Sequence, residues 1–462
     1  MSPLWKPVLS ASRAPISERI VNALVEDIQH GHLAHGDKLP THRALAQHLG
    51  VSVKTITRAY AEAEKRGIVK GLVGSGTFIS EQKLNTFKWR QKDIKYDLFT
   101  NKIMTEPHHT IFRRALHNLM QVQDLEPILS YQPAGGLDKH RAAGVRWAEL
   151  RNVCVATSEI VVCAGTQHAV YCALKIITKP GDTILTECLA YPGVHAAAKM
   201  LGLRLVGLPV DEEGLLPEDL EFYLSHRARP AALICTPTIH NPTLATASAA
   251  RRHDLAAILL RHSLPFVEDD IFGHVMTKAP SPLYTHAPEL GFYVCATSKS
   301  MVPGLRVSFM TGPRQHTSSL NEAIYATVFA AAALPVELAS RWILDGTALK
   351  LVQWHRREVA LRAAVVKKVL ERYPVRTAEG AYVAWLPLPE PWRSKDFVER
   401  VALRGTAVAP AEFFAVNRSG FPQGIRVSLA ATRTTGQLEH GLRAVAEVLD
   451  ELPDNFKFEH YY

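Results

Sequence analysis

Cysteine is sparse in this chain. The six residues, at positions 154, 163, 172, 188, 235 and 295 of 462, include no Cys-x-x-Cys pair. Such scatter excludes a disulfide framework and the common zinc modules, so reduced, mostly buried thiols and no metal site are expected. Long apolar runs are also missing. None approaches the roughly 20 residues needed to span a bilayer, and the opening MSPLWKPVLSASRAP has no basic stretch leading into an apolar core. A soluble, cytoplasmic protein with no membrane partner is expected. Low-complexity sequence is absent, and a composition of 47% hydrophobic and 21% charged residues is that of a globular chain. Excess charge of one sign is small: 53 Lys and Arg against 44 Asp and Glu, formally +9. That balance is compatible with a polyanionic partner and does not demand one. The length exceeds one average domain.

What is present begins with helical periodicity. ISERIVNALVEDIQH, from residue 16, places Ile16, Ile20, Leu24 and Ile28 at four-residue spacing, the pattern of an amphipathic helix. HGHLAHGDKLP breaks it, THRALAQHLG predicts a short helix ended by Gly50, and VSVKTITRAYAEAEKRG predicts a third with Ser52 as N-cap and Gly67 as stop. IVKGLVGSGTFIS then reads as two short strands about a glycine turn. Helix, helix, tight turn, helix and hairpin is the order of a winged helix-turn-helix. Over KLPTHRALAQHLGVSVKTITRAYAEAEKRGIVKGLVGSGTFI the chain resembles the GntR-type winged helix. The resemblance implies that the helix after Ser52 enters the major groove of double-stranded DNA by its N-terminal end. Lys54, Thr55, Thr57 and Arg58 would then reach base edges or phosphates. Arg43 matches an arginine that contacts DNA in that family, and Gly74, with Gly76, would bend the wing. Family members often carry arginine after the serine that opens this helix; Val53 stands here, so base preference is expected to differ.

Up to residue 80 there are ten Lys and Arg against six Asp and Glu, and Lys83, Lys88, Arg90, Lys92 and Lys95 follow in EQKLNTFKWRQKDIKYD. That stretch has no sustained periodicity and reads as an extended tether. The expected organisation is a DNA-binding domain over 1–80, a linker over 81–97 and a second domain over 98–462.

From about residue 98 short apolar runs alternate with helical text: EIVVCAG, DTILTE, RLVGLPV, AALICT, PFVEDD and FYVCAT, with segments such as TASAARRHDLAAILLRH between them. Strands joined by crossover helices predict an α/β domain, a mostly parallel sheet covered on both faces. Ligands bind such sheets beyond the carboxyl ends of the strands. At those ends lie Gly165, Thr166 and Gln167 opening a helix, Tyr191, Asn241, Asp269 with Asp270, Lys299, and Arg306 seven residues later. A helix start binds anions, and a lysine at the end of a dry strand is costly unless used. A flat cofactor with a phosphate, a ring nitrogen and an aldehyde would use every one of these groups.

In these residues the chain resembles fold-type I pyridoxal-phosphate aminotransferases of class I/II, and as a whole it is similar to MocR-type regulators of the GntR superfamily. The resemblance implies a homodimer, a smaller C-terminal α/β subdomain over roughly 335–462, and pyridoxal 5′-phosphate as cofactor. It makes Lys299 the catalytic Schiff-base lysine and Asp269 the partner of the pyridinium nitrogen. Asn241 would bond the ring hydroxyl and Tyr191 would stack on the ring. Gly165, Thr166 and Arg306 would hold the phosphate, with Tyr131 reaching the phosphate of the neighbouring subunit. Arg426, in GIRVSLA, would grip an effector or substrate carboxylate, a task for its bidentate fork.

Two positions depart from the family. Phe272 stands where a tyrosine usually donates to the ring oxygen, and Ala296 where a serine or threonine usually binds the phosphate; Thr297 or Ser298 are the available substitutes. Both departures favour a sensor over a fast catalyst. Three readings follow: a regulator that senses an amine or amino acid through Lys299, a regulator that senses pyridoxal phosphate itself and controls vitamin B6 supply, and a working aminotransferase that carries a DNA module.

Overall fold

The computed structural model describes residues 5–9, 15–29, 33, 36–65, 68–72, 76–80, 94–105, 108–417 and 420–451. The chain divides into two compact units, residues 1–86 with 418–420, and 87–417 with 421–462.

The first unit holds helices α1 (Ile16–Gln29), α2 (His42–Leu49) and α3 (Val53–Lys65) and the antiparallel pair β1 (Val69–Leu72) and β2 (Gly76–Ile79). Its core gathers Ile20, Leu24, Leu45, Ile56, Tyr60 and Ile79. Local chemistry sets the turn between α2 and α3. Thr41 accepts the Ala44 N–H at 3.2 Å to start α2, and Gly50, at φ +64°, ends it by donating to the Ala46 carbonyl. Ser52 Oγ then accepts the Thr55 N–H at 3.2 Å and opens α3. A side chain at Gly50 would strain the backbone, because φ is positive there.

The second unit opens with β3 (Tyr96–Asp97), α4 (His108–Met120), α5 (Glu126–Leu129) and α6 (Asp138–Glu149). Tyr96 and Asp97, the last residues of the expected tether, pair in parallel with Thr406–Ala407. They have acceptors and donors there that an isolated extended segment lacks. Then follow β4 (Ile160–Cys163), α7 (Thr166–Ile177), β5 (Thr183–Glu187), α8 (Pro192–Met200) and β6 (Arg204–Leu208). A hairpin, β7 (Val210–Asp211) and β8 (Gly214–Leu215), precedes α9 (Pro217–His226) and β9 (Ala232–Cys235). Finally come α10 (Ala249–Arg261), β10 (Phe266–Asp270), β11 (Gly291–Ala296) and β12 (Ser308–Thr311).

These strands form a seven-stranded sheet in the order β4-β12-β11-β10-β9-β5-β6. Only β12 runs antiparallel to its neighbours. Every residue of β9, β10 and β11 is buried, as expected of strands covered on both faces. The parallel arrangement places the C-terminal ends of β4, β5, β9, β10 and β11 along one edge. A second, antiparallel sheet of four strands is built from β13 (Arg376–Thr377), β14 (Val383–Pro387), β16 (Ala409–Pro410) and β17 (Gly424–Ser428), β15 being the Thr406–Ala407 pair with β3. Its core is continuous with Phe272, Tyr382 and Phe414. Among the described residues no helix is long and apolar enough to cross a membrane, and no cluster of three His, Cys, Asp or Glu could hold a metal.

Candidate functional site

Lys299 lies three residues beyond β11. Its Nζ donates to the backbone oxygen of Asn101 at 2.8 Å and to Asn101 Oδ1 at 3.1 Å. Burial, helped by the nearby Arg426 cation, lowers this amine to a pKa of about 7. A neutral, nucleophilic amine is therefore present at physiological pH. The lysine's own carbonyl accepts the Tyr382 hydroxyl at 2.9 Å, which ties the loop to the second sheet.

Beside it, β10 carries three acids in a row, and the two-residue period of a strand sends them to different tasks. Glu268 is buried, accepts the Leu283 and Tyr284 amides at 3.1 and 2.8 Å, and faces Arg252 at 3.4 Å. Asp270 is also buried, accepts Arg151 Nε at 2.9 Å and the Tyr293 hydroxyl at 2.7 Å, and is held ionised with its pKa lowered. Asp269 has no such cation beside it. Its Oδ1, like that of Asp270, is buried with no hydrogen-bond partner, and among the described residues no ion pair neutralises its carboxylate. Burial first, then the neighbouring Asp270 and Glu187 carboxylates, raise its pKa to about 7, against a backbone hydrogen bond from Ile271.

The other predicted groups come to the same edge. Gly165, at φ +86°, begins α7, and a Cβ there would meet the Arg306 guanidinium at 2.6 Å. Glycine is thus favoured by the positive φ, and its lack of a side chain lets the cation approach closely. Thr166 adds a buried hydroxyl with no partner at the start of the same helix. Tyr191 stands at the start of α8, 45% exposed. Its phenol is raised by burial and by Asp269, and pulled down by Arg306 and Arg426, so the ring stands among all three. Asn241 Oδ1 accepts Arg426 Nη1 at 3.0 Å, leaving its NH2 group as a donor. Arg426, in β17, also donates to the Phe99 carbonyl at 2.8 Å and lies 4.8 Å from the centre of the Phe414 ring. Its Nε is buried without a partner, and burial lowers the guanidinium to about 10.

Tyr131 does not join this group within one chain. It is 90% exposed, with its ring 5.2 Å from Phe329. Thr297 does not replace the missing hydroxyl at Ala296, because its Oγ1 donates to the Val307 carbonyl at 2.6 Å; Ser298 remains. Phe272 is fully packed in the core shared with Tyr382. Asn101 escaped the sequence reading. Its only signal is the preceding Asp97, whose Oδ1 accepts the Phe99 and Thr100 amides at 2.9 and 3.0 Å and shapes the turn that ends at Asn101.

Pyridoxal 5′-phosphate fits these residues on three independent counts. An unpartnered buried carboxylate oxygen at Asp269 suits a protonated ring nitrogen. Thr166, Gly165 and Arg306 at a helix start suit a phosphate. The Lys299 amine suits an aldehyde.

In the first unit, Arg43, Lys54 and Arg58 are exposed, as an electrostatic contact to DNA requires. The Thr57 hydroxyl donates to the Val53 carbonyl at 3.0 Å and lies 3.2 Å from His42 Nδ1. Thr55 Oγ1 is 2.9 Å from Ser52 Oγ. Both threonine hydroxyls are thus engaged within the unit, Thr55 at the start of α3 and Thr57 within α3 and against α2, and the two cations are the helix's freer groups. Gly74 lies outside the described residues.

Residues 93–445 match the family model for aminotransferase class I and II, and residues 16–79 that for the gntR family of bacterial regulatory proteins. The HTH-type transcriptional regulator YdeF of Bacillus subtilis is 30% identical over 452 residues, 97% of each chain. Among solved structures, the kynurenine aminotransferase of Pyrococcus horikoshii superposes with a TM-score of 0.72 at 21% identity, covering 80% of this chain and 96% of its own. LysN, the α-aminoadipate aminotransferase of Thermus thermophilus, solved with N-(5′-phosphopyridoxyl)-L-leucine, gives 0.69 at 24% identity, covering 78% and 92%.

Proposed function

Because this chain belongs to the aminotransferase class I and II family and carries a gntR-family regulatory module at residues 16–79, we propose that it is a DNA-binding transcriptional regulator that senses an amine bearing a carboxylate, such as an amino acid. Its second unit holds pyridoxal 5′-phosphate, which supplies an aldehyde that condenses reversibly with primary amines. Lys299 provides the resident amine that an incoming ligand displaces. Asp269 keeps a proton on the ring nitrogen, Asn241 donates to the ring oxygen, and Tyr191 covers the ring. Gly165, Thr166 and Arg306 receive the phosphate. Arg426 receives the ligand's carboxylate, with Nε still free to donate. Tyr131, exposed in one chain, reaches the phosphate of a second copy in a homodimer.

The observation that carries the reading is the unpartnered, buried Asp269 oxygen beside the strand that leads to the Lys299 amine. A buried acceptor without a donor is costly, of order 1–3 kcal/mol, and a protonated ring nitrogen removes the cost. Two local findings favour a sensor over an enzyme: the apolar Phe272 and the engaged Thr297 hydroxyl both weaken cofactor handling without removing its capture. DNA affinity then changes only as far as the ligand prefers one state of the protein.

The test follows duplex binding while the cofactor-loaded protein is titrated with primary amines, with and without a carboxylate. An amino acid that changes the cofactor's absorption and the DNA affinity together supports the reading; a change of absorption that never alters DNA binding refutes it. On the DNA arm, Arg43→Ala and Arg58→Ala should each weaken duplex binding about tenfold at 0.1 M salt. Each should also lower the slope of log K against log salt by about one. Unaltered binding in both variants would show that this face does not meet DNA.

A further inference from the structure

The contact between Lys299 and Asn101 is absent from the roles assigned above, and it is unusually well built. Asn101 lies four residues beyond the end of β3. Leu98 donates to the Ala407 carbonyl at 2.8 Å and accepts from the Ser428 amide at 2.7 Å. The Asp97 side chain closes the next turn, and the Phe99 carbonyl holds Arg426. The segment that ends at Asn101 is therefore fixed at four points before it meets the lysine. It presents two oxygens, one from the backbone and one from the side chain, to a single Nζ.

We propose that Asn101 is a positioning residue that holds Lys299 whenever an amine ligand has displaced it from the cofactor, and so favours the ligand-bound state. The inference rests on the reading of the site given above. Its chemistry is a count of hydrogens. A free Lys299 nitrogen carries two hydrogens as the amine and three as the ammonium, enough for both Asn101 oxygens. When the nitrogen condenses with an aldehyde, a C=N bond forms, the carbonyl oxygen leaves as water, and the nitrogen keeps at most one hydrogen. It can no longer serve both acceptors. A ligand amine that takes the lysine's place reverses the exchange: the C=N bond moves to the ligand nitrogen, and Lys299 regains its hydrogens and its partner. Each free lysine thus gains contacts that the condensed lysine lacks, and the exchange equilibrium tilts towards the incoming amine. Because Phe99 in the same segment positions Arg426, the group receiving a carboxylate and the group receiving the lysine share one anchored stretch of chain.

The experiment uses the full chain loaded with pyridoxal 5′-phosphate and methylamine as the probe, since methylamine isolates displacement of the lysine from carboxylate binding. The cofactor's absorption reports the displacement. In Asn101→Ala, the methylamine concentration for half displacement should rise about tenfold, the size of one hydrogen bond to a charged group. In Asn101→Asp, where a carboxylate faces the ammonium, it should fall below the wild-type value. Opposite shifts in the two variants are the signature that a merely structural role would not produce. Equal displacement in all three proteins, or shifts of the same sign, would overturn the role of Asn101. Borohydride reduction before methylamine is added checks the underlying reading separately: no pyridoxyl adduct on Lys299 in the wild type overturns that reading and this one with it.

Discussion

In Lys299→Ala, one equivalent of pyridoxal 5′-phosphate followed by borohydride leaves no adduct on the peptide spanning residue 299, whereas the wild type is labelled there nearly completely. The expected size comes from the amine's environment. Lys299 is lowered to about 7 by burial and by Arg426, so at pH 7.5 most of it is neutral. An ordinary surface lysine, near 10.4, is neutral to only about one part in a thousand at that pH. Lys299 therefore has on the order of 500 times more reactive amine than any surface competitor, before the site's grip on phosphate and ring is counted. Removing it should reduce specific labelling by at least two orders of magnitude, with the remainder spread over exposed lysines. The expected pH trend follows the same group: labelling of the wild type falls as pH drops below about 7, because the ammonium has no lone pair. Equal labelling of both proteins, or wild-type label found only on surface lysines, would dispose of the site. Circular dichroism on the variant separates lost chemistry from lost folding, and loss of fold is not expected, since the alanine removes an amine whose burial is itself unfavourable.

The groups proposed to do this chemistry are legible because a parallel sheet collects them. β5, β9, β10 and β11 are short apolar runs in the sequence, and Tyr191, Asn241, Asp269 and Lys299 stand at or just beyond their ends. The rule that such sheets bind ligands at their carboxyl edge then orders them without any knowledge of distance. The start of α7 was equally plain, from a glycine and a threonine between strand and helix. In the first unit, Thr41, Gly50 and Ser52 are local signals, each acting within three or four residues, and each is visible in the text.

What was not legible depended on long-range pairing or on which neighbour a group prefers. Asp269 and Asp270 are adjacent and identical in type, and each has a buried oxygen without a partner, yet only Asp270 is neutralised by a cation, Arg151, more than a hundred residues away. Thr297 could serve a phosphate in principle, but the antiparallel return of the chain into β12 brings the Val307 carbonyl within 2.6 Å of its hydroxyl. Asn101 is separated from Lys299 by 198 residues and lies in a stretch without periodicity. Tyr96 and Asp97 looked like tether because two residues are too few to carry an alternating pattern, and their strand is defined only by its partner at Thr406–Ala407.

Replacing Asp269 with asparagine should change both the strength and the pH dependence of cofactor capture. In the proposed site, Asp269 and the ring nitrogen of the bound cofactor would share one proton between two basic atoms. Below about pH 7 the carboxyl brings that proton itself, since burial and the Asp270 and Glu187 charges raise its pKa to about 7. Above that value the carboxylate must take the proton from solvent, and capture weakens by up to tenfold for each further pH unit once the ring nitrogen of the free cofactor has also lost its proton. Lys299 imposes the opposite limb, because its amine is neutral only above about 7. The wild type is therefore expected to capture the cofactor with a bell-shaped pH profile centred near neutrality. In Asp269→Asn the falling limb disappears: the amide does not titrate, so capture should rise with pH and level off. At neutral pH the variant should bind roughly ten to a hundred times more weakly, the cost of exchanging an ionic hydrogen bond for a neutral one in a buried site. Its ring nitrogen, no longer kept protonated, should also give no measurable conversion of the cofactor to its amine form with any amino acid. Equilibrium titration of absorption from pH 5.5 to 9 measures both features. A profile in the variant that still falls above neutrality would assign that limb to another group and leave the Asp269 oxygen without the role its lack of a partner implies.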